Sequence, residues 1–113
     1  MNIEDGNRLI AEFMGGIPTK SLNTETWDIP NMNGYQFVLF YHSSWDWLMP
    51  VLEQIRNTDD VTIDIEISKE TTISNIDRSS GHVSRGFNTI DNTWRECIHY
   101  IQKQNENTSS LQS

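Results

Sequence analysis

The sequence predicts an α+β domain in which helices pack on a small, mainly antiparallel sheet in the order α-β-α-β-β-α, as helix, sheet and helix layers. Apolar side chains recur at helical spacing near the start, in the middle and near the end of the chain, whereas "VTIDIEIS" alternates strictly between apolar and polar. With 113 residues, of which 35% are hydrophobic, there is enough chain for one core and too little for two.

Leu9, Ile10, Phe13 and Met14 place a first helix over about residues 3–14, with Glu4 and Asp5 in its first turn and Gly15-Gly16 as its stop. Residues 16–34 read as one long connection, broken by Pro18, Pro30 and Gly34 and anchored by Trp27. It is expected to be a surface loop, a lid or a partner surface. "YQFVLFYH", residues 35–42, is aromatic and β-branched and reads as a buried strand.

Ser44 then caps a second helix, Asp46 suits its positive end, and Trp45, Leu48, Met49, Leu52 and Ile55 form its apolar stripe. Pro50 predicts a kink or a helix proper that begins near Met49. In the alternating strand, Val61, Ile63, Ile65 and Ile67 are expected to meet a helix stripe, and the face with Asp64 and Glu66 to see water, a polar cleft or a basic partner. "ETTISNID" is its hairpin partner and "RSSGHVSRG" a polar loop. Phe87, Ile90, Trp94, Cys97, Ile98 and Ile101 keep helical spacing to about Gln104. Residues 105–113 are polar and aperiodic and read as a disordered tail, so the domain is placed at residues 1–104.

Sixteen acidic against eight basic residues give a formal charge of −8, which repels duplex nucleic acid and favours solubility. The carboxylates are scattered, which weighs against mimicry of a nucleic-acid surface. The longest apolar run, Phe37 to Tyr41, is far below the roughly 20 residues of a membrane helix. Glu4 and Asp5 stand where a secretory signal would be basic, so a cytosolic location is expected. A single Cys97 excludes an internal disulfide and reads as a buried thiol.

Two stretches, "NRLIAEFMG" at residues 7–15 and "YHSSWDWLMPVLEQI" at residues 41–55, followed by a terminal amphipathic helix, resemble a group of small proteins of phages and prophages, mainly of Bacteroidetes-type hosts. That group is similar to the phage ABA sandwich domain. The resemblance covers about a third of the residues closely and implies helix, sheet, helix layering and a phage origin, but no reaction; combined with the cytosolic location expected above, it gives the host cell cytosol. The chain departs from the pattern in Arg85-Gly86 and in its serine-rich, histidine-containing loop.

His42, Ser43, Ser44 and Asp46 match the residue types of a hydrolytic triad, but neighbours at a strand end project apart, and helix-start chemistry accounts for Ser44 and Asp46. His42, His82 and His99 lie in different elements without the spacing of a zinc site, so no metal or other cofactor is expected. The strongest ligand candidates are Arg78, Ser80, His82, Ser84 and Arg85 in the loop before the last helix, whose free amides attract anions, with Trp47 as a stacking surface. An ordinary polar loop, with Ser84 or Asn88 as helix cap, is the plain alternative.

The functional expectation is a small non-enzymatic phage accessory protein that binds a host protein to blunt defence. The alternative is a sponge-like protein that sequesters a small phosphorylated ligand or nucleotide signal. A second alternative, a metal-dependent hydrolase, rests on Asp64 and Glu66 as spaced carboxylates on one strand face. A homo-oligomer is compatible with the small size of the domain.

Overall fold

The computed structural model describes residues 2–21, 23–30, 32–58, 61–75, 81–86 and 88–112. Along them run α1 (Ile3–Phe13), β1 (Ile17–Ser21), β2 (Thr24–Asp28), α2 (Trp45–Thr58), β3 (Val61–Glu66), β4 (Glu70–Asn75), β5 (Gly81–Arg85) and α3 (Thr89–Gln112). β1 and β2 form an antiparallel hairpin, and β3, β4 and β5 an antiparallel sheet with β4 in the centre. The fold is α+β.

Local chemistry sets the ends of α1. The Asn2 side chain accepts from the Asp5 amide at 2.8 Å, and Gly15, at φ 83°, turns the chain out of the helix. The Gly15 amide donates to Glu12 O and the Gly16 amide to Ala11 O, which satisfies the last carbonyls. In α2 the Ser44 carbonyl accepts the first helical bonds, Asp46 lies in the first turn, and Leu48, Val51, Leu52 and Ile55 are buried. The helix runs through Pro50 and starts at Trp45, not near Met49.

Four stretches differ from the sequence reading. The long connection holds the β1–β2 hairpin, whose "IPTKS" and "TETWD" are too polar to signal strands by pattern. Residues 35–42 are not a strand. One bridge joins Gln36 to Trp27, after which the Leu39 carbonyl accepts from the Asn7 side chain, and among the described residues no strand pairs with the rest of the segment. Tyr41 alone of its large side chains is fully buried, while Tyr35, Phe37, Val38 and Phe40 are exposed.

The polar loop is in part β5, because the helix it faces is itself polar there. Glu96 of α3, only 1% exposed, accepts from Ser84 Oγ at 2.7 Å, is 2.8 Å from His82 Nδ1, and takes a long bond from the Ile73 amide at 3.4 Å. Thr71 and Thr93 share a hydrogen bond beside it. Finally, the α3 backbone continues past Gln104 to Gln112; no proline or glycine interrupts residues 105–112.

A single apolar cluster joins Ile10 and Ala11 of α1, Trp27 and Ile29, Tyr41, the α2 stripe, Val61, Ile73 and the α3 residues Trp94, Cys97, Ile98 and Ile101. Burial, with the charge of Glu96 adding to it, pushes the Cys97 thiol well above its ordinary range. Only the first part of β3 reaches this core. Ile65 and Ile67 are exposed, since α3 crosses over β4 and β5 and leaves the end of β3 uncovered. Asp64 and Glu66 are exposed as expected.

Candidate functional site

Of the residues singled out before the last helix, His82, Ser84 and Arg85 are engaged in the fold. His82 and Ser84 turn toward α3 and bond Glu96, and Arg85 pairs with Glu70 at 3.0 Å across the β4–β5 register. The corner that follows is clamped, with the Arg85 carbonyl accepting from Arg95 Nη2 at 2.9 Å and the Gly86 amide donating to Lys69 O at 3.0 Å. Asn88 caps α3 by accepting from the Asp91 amide, and the Asp91 carboxylate itself occupies the first turn. An anion would meet a capped, acidic helix start. Arg78 and Ser80 lie outside the described residues. Trp47 is in another element, half-buried, with edge-on ring contacts to Phe40 and Tyr41.

In this arrangement Ser84 cannot be the nucleophile of a triad, because its proton goes to the carboxylate and not to an imidazole. Among the described residues no three histidine, cysteine or acidic side chains converge as a metal site would need.

A different site is built where α1, the β1–β2 hairpin and residues 37–42 meet. They enclose an open cleft of about 670 Å³. Asn7 lies on the apolar face of α1, four residues after Ile3 and three before Ile10, and is 3% exposed. Its Oδ1 accepts from Trp94 Nε1 at 2.8 Å, so its Nδ2 donates to the Leu39 carbonyl at 3.0 Å and to His42 Nδ1 at 2.8 Å. With Nδ1 accepting, a neutral His42 carries its proton on Nε2. Asn7 therefore fixes both a loop and an imidazole tautomer.

At the next position of α1, Arg8 Nη1 reaches both oxygens of Glu25, at 3.0 and 3.2 Å, and its guanidinium lies 5.9 Å from the centre of the Trp27 ring. Trp27 Nε1 donates to the same carboxylate at 3.1 Å. Since Glu25 balances Arg8, the uncompensated charge on the cleft wall is that of Glu4. Phe37, Val38 and Ile3 supply apolar wall, with exposures of 71%, 54% and 53%. The cleft can seat an apolar side chain and favours a cation beside it.

Sequence reasoning missed Asn7, Arg8 and Glu25. A signal was present for Asn7, a polar residue on the apolar stripe of a helix. Arg8 and Glu25 gave none, since their pairing depends on the hairpin.

Comparison with known protein families, with curated proteins and with solved structures returned no match to this chain. No helix among the described residues is long and apolar enough to cross a membrane.

Proposed function

We propose that the chain is a small non-enzymatic accessory protein that acts by stoichiometric binding of a host protein. The supporting observation is the exposed apolar segment that begins at Tyr35 and runs to Phe40, set beside the cleft in a chain of net charge −8. Exposed apolar residues clustered around a concavity mark binding surfaces, whereas single ones need no explanation. The partner is a protein segment with an apolar side chain flanked by basic residues, matching the apolar wall and Glu4. The resemblance of α1 and α2 to phage proteins points to a host component, and to host defence as the process blunted. The sequestering alternative has less support, because His82, Ser84 and Arg85 already have partners within the fold.

The test compares proteins captured from host lysate by the wild-type chain and by a Phe37→Ser/Val38→Ser variant. Both side chains are exposed, so the variant is expected to keep its circular dichroism and thermal midpoint. A host protein held at one-to-one stoichiometry and lost with the variant is the expected result. Identical capture by both chains would rule the cleft out.

A further inference from the structure

The two sheets present four strand edges, and three of them are guarded. β1 carries Pro18 and Lys20, residues that discourage pairing at an edge. The outer edge of β2 is bridged by Gln36, which exchanges both backbone bonds with Trp27 at 2.8 and 2.9 Å. On β5, Arg95 caps the Arg85 carbonyl.

β3 has none of these guards. It contains neither lysine nor proline, and it pairs residue for residue with β4, from Val61 against Asn75 to Glu66 against Glu70, without a bulge. No described strand lies on its other side. Half of its backbone donors and acceptors therefore face outward along a straight edge of six residues, about 20 Å long. Its side chains continue the same offer. Asp64 and Glu66 are exposed on one face, while Ile65, 38% exposed, carries the apolar face beyond the cover of α3, and the turn that follows exposes Ile67.

The carboxylates decide what can dock there. A second copy pairing antiparallel through β3 would set Asp64 and Glu66 of one chain beside those of the other, and like charges opposite one another destabilise a strand pair. A basic strand gains from the same positions. We propose that the outer edge of β3 accepts an added strand from a partner protein, in which basic residues alternate with apolar ones. The basic side chains lie beside Asp64 and Glu66, and the apolar ones cover Ile63 and Ile65. This edge shares no residue with the cleft, and the inference stands independently of the function proposed for that cleft.

The probe is a capped eight-residue peptide alternating lysine and valine, with a peptide of the same composition in blocks and one alternating glutamate and valine as controls. Residue-resolved amide exchange of the full chain reads the site. Binding of the alternating lysine peptide should slow exchange at every second amide of β3 only, because the intervening amides already bond β4. The block peptide should not do this. Asp64→Lys/Glu66→Lys should weaken the lysine peptide by about tenfold or more and make the glutamate peptide the better ligand. Phe37→Ser/Val38→Ser should leave β3 protection unchanged, which separates this edge from the cleft. Protection elsewhere, protection that survives charge reversal, or alternate β3 amides already protected in a self-associated chain would each overturn the proposal.

Discussion

His99 on α3 stacks on His82 of β5, with ring centres 3.7 Å apart and planes within 18°. Burial lowers the proton affinity of His99 and the facing His82 lowers it further; Glu96 pulls the other way, Lys103 adds to the lowering, and Glu106 opposes it. The net direction is down from the ordinary value of about 6.5. The unfolded chain then takes up this proton more readily than the folded one, so stability from this residue is present above about pH 6.5 and is lost as pH falls through the folded value. His99→Gln should accordingly flatten the change in thermal midpoint between about pH 7.5 and about pH 5.5. An unchanged slope would show that His99 does not carry it. The neighbouring Glu96 belongs to a polar patch that also holds Ser84, Thr71 and Thr93 where α3 packs on the sheet. Such buried charged pairs add little net stability, since desolvation offsets much of the attraction.

Where α1 crosses α3, the approach is set by the absence of a side chain at Gly6. A Cβ there would stand 2.5 Å from Trp94 Cζ2 and 2.6 Å from Ile98 Cδ1. In an isolated helix Gly→Ala stabilises by about 1 kcal/mol. Here the sign should reverse, with Gly6→Ala costing about 1–3 kcal/mol as overpacking does. Urea unfolding would show a lower midpoint at unchanged m-value, whereas an equal or higher midpoint would mean that the helices do not meet this closely. Elements with a strong period, α1, α2, β3 and the apolar part of α3, were legible in the sequence, and β4 followed only as the hairpin partner of β3. β1, β2 and β5 were not, because their partners are polar or solvent and no apolar alternation results. Residues 35–40 misled in the opposite sense, since composition reports what a side chain prefers and not whether a neighbouring strand exists to bury it. The cleft was legible only through Asn7, as it arises where distant segments meet.

A hydrogen bond from Trp94 Nε1 to Asn7 Oδ1, spanning 87 positions of chain, ties the last helix to the first. Because Asn7 also holds the Leu39 carbonyl and His42, the C-terminal helix is connected to the wall of the cleft through a side chain 3% exposed. Trp94 does not line the cleft. Trp94→Phe leaves Asn7 Oδ1 without this donor, and Asn7→Ala leaves the buried indole N–H without its acceptor; each should cost about 1–3 kcal/mol from the orphaned group, beyond any loss of packing. In the double variant neither group is orphaned, so the combined loss should fall short of the sum by about 0.5–3 kcal/mol. Chemical denaturation of the four proteins measures this coupling. The same cycle reads the cleft. Trp94→Phe should weaken capture of the partner that Phe37→Ser/Val38→Ser abolishes, even though Trp94 touches none of the cleft's open space, because Asn7 then holds residues 39–42 less firmly. Coupling near zero, or partner binding untouched by Trp94→Phe in a folded protein, would mean that the cleft is held by the α1 and hairpin packing alone.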